Sequence, residues 1–161
     1  MLRVYFRLRD LDFGKLMEVY KESNQENAEE LNTGILQVEQ DFYQYLNEVF
    51  FAARGAFYAL CEHEGAYLAA LRMEPYRDGL LLEALETHPD YRKMGYAKEL
   101  ITAVLDLLRQ EGITAVYAHV HKRNIASLRT HMSCGFCRIS EQAVYIDGSV
   151  NSRCCTMRYL F

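Results

Sequence analysis

Apolar residues in the first third of the chain recur mostly at helical spacing. Residues 2–8 alternate as a strand does, and Asp10 is then placed to cap a helix that carries Leu16 on its apolar face. The acidic, amide-rich segment 21–34 lacks an apolar stripe, so it is predicted to form helix ends and loop. A second amphipathic helix is predicted over residues 38–50, where apolar positions again recur at helical spacing.

The period changes to that of strands from residue 56 onwards. Residues 57–61 and 66–73 are predicted to form an antiparallel hairpin. Residues 80–87 are mostly apolar on both faces, which is typical of a strand at the centre of a sheet. The later elements are a long helix that ends near Gln110, a strand over residues 113–121, a short helix between Asn124 and Gly135, and two strands over residues 136–146 and 154–160.

This order of elements predicts a single α/β domain over residues 1–161, with a mixed central sheet of about six to seven strands flanked by helices. A length of 161 residues, 50% of them hydrophobic and 25% charged, excludes a disordered, collagenous or disulfide-held chain. No apolar run approaches the ~20 residues of a membrane span and no signal-peptide pattern is present, so we expect a cytoplasmic protein without a membrane partner. The odd number of cysteines, five, favours reduced thiols.

The charge balance argues against a nucleic-acid partner. The formal net charge is −4 and the isoelectric point is near 5.7, the wrong sign for a protein that neutralises many phosphates. Cationic groups are nevertheless concentrated at Arg92 and Lys93, where a strand runs through a glycine turn into the long helix. Free N–H groups at such a helix start, together with a glycine that admits close approach, are suited to a phosphate or diphosphate. An ordinary helix start with solvated basic residues is the alternative.

Two motifs in this region resemble those of the GCN5-related N-acetyltransferase (GNAT) superfamily. The first is similar to that family's acetyl-coenzyme A motif, Gln/Arg-x-x-Gly-x-Gly/Ala, and is carried here by Arg92, Gly95 and Ala97. The second runs from Asn124 through a short helix to Gly135 and the phenylalanine after it. The order of elements also matches the family over nearly the whole chain.

The resemblance implies an N-acetyltransferase that moves an acetyl group from acetyl-coenzyme A, as cosubstrate, to a primary amine of a small molecule or peptide by direct attack. It implies no metal and leaves a homodimer open. Eleven positions are expected to contact the cofactor, through backbone amides, the edge of the central strand and the start of the short helix: Leu85, Glu86, Thr87, Arg92, Lys93, Met94, Gly95, Tyr96, Ala97, Asn124 and Ser127. For Asn124, a plain helix cap is the alternative.

Acetyl transfer to an amine requires a base for the amine proton and a proton for the departing thiolate. Glu83 is the predicted base. It would share a face with Glu86 only if a bulge interrupts the strand between them, because their spacing is odd. His131 is the predicted acid, since it stands where family members commonly carry a tyrosine. The acidic segment 22–30 would favour a cationic amine.

Other readings of the sequence remain. The departure at His131 keeps open a non-catalytic sensor that binds acyl-coenzyme A, and a fold-level interaction protein without cofactor is a third reading. Cys134 and Cys137 have the spacing of a redox dithiol, but they flank a helix end, where thiol pKa values are not lowered. Zinc binding by these cysteines with Cys154 and Cys155 is disfavoured, because neighbours in a strand point to opposite faces. His119 and His121 share a strand face without an evident third metal ligand.

Overall fold

The computed structural model describes all residues from Met1 to Phe161. Its strands are β1 Leu2–Tyr5, β2 Phe57–His63, β3 Ala66–Tyr76, β4 Gly79–Thr87, β5 Ala115–His121, β6 Cys137–Ser140, β7 Ala143–Val144, β8 Val150–Asn151 and β9 Cys154–Leu160. Its α-helices are α1 Phe13–Val19, α2 Lys21–Glu30, α3 Ile35–Tyr45, α4 Tyr96–Gln110 and α5 Ile125–Ser133. A π-helical turn, Leu46–Phe50, continues α3.

Seven strands form one mixed sheet in the order β1-β2-β3-β4-β5-β9-β6, and β7 and β8 form a separate two-stranded ribbon. Within the seven-stranded sheet β4 and β5 pair in parallel, and every other neighbouring pair is antiparallel. β4 lies at the centre, as the apolar pattern of residues 80–87 predicts. The predicted α/β class, with a mixed sheet flanked by helices, is confirmed.

Helices cover the two faces of this sheet. Leu100, Ile101 and Val104 on α4 pack with the β3, β4 and β5 side chains of the larger core cluster. On the opposite face, Leu16 of α1 and Phe50 of the π-helical turn belong to a second cluster. Each helix therefore buries one apolar stripe on the sheet, which is the usual arrangement of an α/β layer structure. No helix of the structure is both long enough and apolar enough to cross a membrane.

Three local predictions from the sequence are wrong. Asp12, not Asp10, caps α1, because its carboxylate accepts a hydrogen bond from the Lys15 N–H at 3.1 Å. The segment predicted as helix ends and loop contains the helix α2, which packs along α3 and needs little apolar surface for that. The strand predicted over residues 136–146 is interrupted after β6, and the chain continues into the β7–β8 ribbon around Asp147 and Gly148.

Candidate functional site

A cleft of about 680 Å³ opens at the carboxyl ends of the two parallel strands. Open α/β sheets characteristically bind ligands at this edge. Its walls are the end of β4, the loop that enters α4, and the start of α5. The lining residues are Leu85, Glu86, Thr87, Arg92, Lys93, Gly95, Tyr96, Ala97, Lys98, Asn124, Ala126, Ser127 and Thr130. Ten of the eleven predicted cofactor-contacting residues are therefore brought together.

The loop before α4 exposes a series of free backbone donors. None of the N–H groups of residues 92–98 donates to a protein acceptor, and α4 has no side-chain cap. Gly95, the N-cap, has φ +91°, and Lys93 has φ +62°, so the loop turns through left-handed backbone twice. An ideal Cβ at Gly95 would meet no atom within 4 Å, so the space above the turn is open. Free amides at the positive end of a helix dipole form an anion site.

The Arg92 side chain borders the cleft but is engaged elsewhere. Its Nη1 donates to the Glu22 carboxylate on α2 in a short charge-assisted contact. Both side chains are about half exposed, 42% for Arg92 and 52% for Glu22. The pair links the anion loop to α2, and no local sequence pattern indicates it, because the two residues lie 70 positions apart.

β4 carries the predicted bulge. Arg72 pairs with Glu83 and Ala70 pairs with Glu86, so two residues of β4 lie opposite one residue of β3. Ala84, within the bulge, adopts the left-handed backbone region, with φ +49°. The bulge places Glu83 and Glu86 on the same face of the sheet, which an uninterrupted strand would not do because their spacing is odd.

The pairing between β4 and β5 stops before both strands end. Their register runs from Leu80 opposite Val116 to Leu82 opposite Ala118 and goes no further. Beyond that point the side of β4 that faces β5 is unpaired, and the cleft occupies the gap. The backbone of residues 85–87 is thus an open strand edge that an extended ligand can pair with.

Glu83 lies beside Arg72, not in the cleft wall. The Glu83 carboxylate is 3.8 Å from the Arg72 guanidinium, and both side chains are largely buried. Burial, reinforced by the neighbouring Glu74 carboxyl, raises the pKa of Glu83 to about 8 despite the opposing effect of Arg72. Glu83 therefore titrates near neutral pH, although it is not among the residues that line the cleft.

Glu86 connects the cleft to a second cavity. That cavity, of about 280 Å³, lies between β4 and the N-terminal helices, and its walls include Ser23, Asn24 and Asn27 of α2. Burial raises the pKa of Glu86, and the nearby Arg92 guanidinium opposes the shift. Glu86 is therefore a carboxylate shared by two cavities, a position that the sequence pattern did not distinguish from that of Glu83.

The start of α5 forms the far wall of the cleft. The Asn124 side chain accepts a hydrogen bond from the Ser127 N–H at 3.0 Å, so the plain cap reading of Asn124 holds, and both residues also line the cleft.

His131, one turn further along α5, is buried behind this wall. Its side chain is 2% exposed, and Nδ1 donates to the Ser127 carbonyl at 2.8 Å. Burial lowers its pKa, so the ring is neutral and its unprotonated Nε2 has no partner. The ring also packs edge-on against Phe136. His131 therefore does not line the cleft itself, and its Nδ1 lies 3.3 Å from the hydroxyl of Ser127, which does.

Met94 is the one predicted cofactor-contacting residue absent from the cleft lining, and its side chain is 61% exposed, so a contact at this position would come from its free backbone N–H. Conversely, Lys98, Ala126 and Thr130 line the cleft without having been singled out. Thr130 follows Ser127 by three residues on α5, so helical periodicity is the signal that would have found it. Lys98 directly follows the predicted contacts 92–97 in the first turn of α4.

The remaining candidate clusters hold no metal-type arrangement. No group of three or more His, Cys, Asp or Glu residues is positioned to hold a metal ion, and all five cysteines are free. His119 lies edge-on between the rings of Tyr76 and Tyr145, at centroid distances of 5.4 and 5.2 Å. His121 accepts a hydrogen bond from the Arg123 N–H.

Comparison with known proteins agrees with this geometry. A sequence model of the acetyltransferase (GNAT) family matches residues 15–136. A ribosomal protein bS18-alanine N-acetyltransferase from Haemophilus ducreyi is 32% identical over 75 residues, a match that covers 45% of this chain and only 52% of that relative.

Solved structures match over the whole chain. The PaiA N-acetyltransferase of Thermoplasma acidophilum, in complex with coenzyme A, superposes with a TM-score of 0.71 at 13% identity. The match covers 100% of this chain and 99% of the PaiA chain. A ribosomal-protein-alanine N-acetyltransferase from Brucella melitensis gives a TM-score of 0.66 at 16% identity, with coverage of 100% and 99%. These structures share the fold of this chain, and the family match over residues 15–136 shows that the chain belongs to the GNAT acetyltransferase family.

Proposed function

We propose that this protein is an N-acetyltransferase that transfers the acetyl group of acetyl-coenzyme A to a primary amine. The observation that carries the proposal is the run of free N–H groups over residues 92–98, which faces a cleft at the open edge of β4. A diphosphate fits this cradle, because the donors sit at a helix N-terminus and Gly95 leaves space above the turn. The cosubstrate supplies an activated acetyl thioester when bound.

The chain's own residues divide the remaining work. The amides of the anion loop, with Arg92 and Lys93, bind the diphosphate, and the unpaired edge of residues 85–87 binds the extended pantetheine arm as an added strand does. N–H groups on the same edge are available to the carbonyl oxygen as it gains negative charge. Asn124 and Ser127 close the opposite wall.

Proton removal from the amine is assigned to the carboxylates on β4. A general base must first lie within hydrogen-bond distance of the proton that it removes, and only then does its pKa matter. Glu86 borders both cavities, so it is the group in contact with the acceptor amine. Glu83, with its pKa raised to about 8, acts from behind the bulge through an intervening water. A thiolate leaving group with a pKa of about 8.5 departs near neutral pH without His131 as acid.

The acceptor is proposed to be an amino terminus or a small amine that enters through the second cavity. The amide and carboxylate groups around that cavity, and the acidic α2 beside it, favour an ammonium group. The curated relative from Haemophilus ducreyi carries the name of an alanine N-acetyltransferase, so peptides with an N-terminal alanine are the first acceptors to test.

The experiment measures coenzyme A release from acetyl-coenzyme A across a panel of amines and N-terminal peptides. Glu86→Gln is expected to lower kcat/KM by about 10²-fold or more, and Glu83→Gln by less. Gly95→Glu is expected to abolish cosubstrate binding, because a carboxylate would then occupy the anion cradle. A thermal shift with coenzyme A but no turnover on any amine would instead support the sensor, and no shift at all would favour an interaction protein.

A further inference from the structure

A third cavity, at the end of β5, is lined only by basic residues. It has a volume of about 470 Å³, and its lining residues are His121, Lys122, Arg123 and Arg153. Lys122 forms an ion pair with Glu141 at 3.6 Å. The Arg123 and Arg153 side chains form neither an ion pair nor a hydrogen bond within the chain. Two uncompensated guanidinium groups therefore line one cavity in a protein whose net charge is −4.

Backbone contacts hold this cavity in shape. The Lys122 N–H donates to the Arg153 carbonyl at 2.9 Å, which joins the end of β5 to the turn before β9. The Arg123 N–H donates to His121 Nδ1, and the Arg153 N–H donates to the Asn151 side chain at 2.9 Å. The backbone beneath the two arginines is thus held in place, so ligand binding has to order only their side chains.

The cavity lies close to the proposed active site. Arg123 is followed directly by Asn124, which lines the cofactor cleft, so one loop separates the two spaces. The register also places His121 on the sheet face that carries Glu83 and Glu86, because Leu81 is level with Tyr117 and side chains alternate along each strand. Glu83, Glu86 and His121 therefore lie on one face of the sheet, with the basic cavity at the end of β5.

We propose that this basic cavity binds a carboxylate group of the acyl acceptor, so that the substrate is a dipolar molecule with its amine near Glu86 and an anionic group at Arg123 and Arg153. The inference rests on the proposed acetyl transfer for its substrate role. Arginine side chains recognise carboxylates through paired N–H donors, and every residue that lines the cavity is basic, which favours an anionic group as the occupant.

The test compares acceptor pairs in which one member carries carboxylates and the other is an uncharged analogue at the same positions. The peptides Ala-Glu-Asp-Gly amide and Ala-Gln-Asn-Gly amide form one pair, and 4-aminobutyrate and butylamine form the other. With acetyl-coenzyme A saturating, the acidic member of a pair is expected to have a KM about tenfold lower, the contribution of one charge-assisted contact. The pair that shows the preference identifies the source of the carboxylate as a peptide or a small amine.

Substitution of the two arginines tests whether they cause the preference for acidic acceptors. Arg123→Gln combined with Arg153→Gln is expected to erase it while leaving kcat/KM for the neutral acceptor unchanged, and the exposed Arg54→Gln is the matched control for loss of charge. Equal KM values for both members of both pairs would overturn the inference. So would a preference that survives in the double variant, or a raised KM for acetyl-coenzyme A alone, which would assign the cavity to a phosphate of the cosubstrate.

Binding without reaction separates this inference from the proposed function. The acetylated form of the acidic peptide, titrated by calorimetry in the presence of coenzyme A, is expected to bind about tenfold more tightly than its neutral counterpart, and only when Arg123 and Arg153 are intact. If no amine is acetylated but this difference remains, the carboxylate site stands and the acetyl-transfer proposal fails. If the acidic and neutral acetylated peptides bind with equal affinity, the proposed carboxylate site is wrong, whether or not the protein acetylates amines.

Discussion

Glu22 is expected to compete with the cosubstrate for Arg92, so removal of its charge should strengthen coenzyme A binding. The Arg92–Glu22 pair has to open before the guanidinium can turn towards a diphosphate in the cleft. Because both side chains are about half exposed, the pair contributes at most about 1 kcal/mol. Glu22→Gln should therefore raise the affinity for coenzyme A by up to about fivefold.

Removal of the Arg92 charge should weaken coenzyme A binding, and by more than removal of the Glu22 charge strengthens it. Arg92→Gln removes one charge-assisted contact to phosphate, which typically contributes about 1.5–3 kcal/mol, so affinity should fall by about tenfold or more. In the Arg92→Gln background, Glu22→Gln should bring little further gain, because the competing contact is already lost.

Isothermal titration calorimetry with coenzyme A at low ionic strength measures all four proteins of this cycle. Glu30→Gln is the matched control, since Glu30 lies exposed on the same helix without a partner. Urea unfolding checks that each variant folds. A weaker affinity in Glu22→Gln would refute the competition, and an equal gain in Glu30→Gln would show that net charge alone is responsible.

Three further variants test the fold and the proton chemistry. Gly79→Ala should destabilise the protein by about 2–4 kcal/mol in urea unfolding, because the new Cβ would lie 2.0 Å from the Ala115 carbonyl oxygen; Gly34→Ala, with no atom within 4 Å, should cost no more than about 1 kcal/mol, the effect of alanine at the N-cap of α3. His131→Ala should cost about 2–4 kcal/mol of stability through the space it empties, with kcat at 25 °C little changed, and a large loss of kcat in the folded variant would support the predicted role of His131 as acid. Glu83 keeps its proton up to a pKa of about 8 when folded but loses it near 4.3 when unfolded, so wild-type stability should fall as pH rises from 5 to 8, with a slope no steeper than about 1.4 kcal/mol per pH unit. Glu83→Gln should flatten that decline, and an unchanged pH profile would contradict the raised pKa.

Most elements were predictable because their signals are local. The hairpin of β2 and β3, the central strand β4 and the helix α4 each follow from a hydrophobic period and nearby turn residues. The errors arose where tertiary contacts override such signals. α2 is a helix with few apolar residues that packs along α3, and the last long strand is split by the β7–β8 ribbon, where the Tyr76 hydroxyl donates to the Val144 carbonyl.

The sequence by itself determined the family motifs, and with them the anion loop over residues 92–98, since a glycine turn before a helix exposes N–H groups wherever the chain folds. Only the tertiary structure decided the surroundings of each candidate side chain. It buried His131 behind Ser127, placed Glu86 and not Glu83 at the cleft, and paired Arg92 with a residue 70 positions away. Burial and ion pairing depend on groups that are distant in sequence, whereas helix caps, turns and periodicity depend on neighbours.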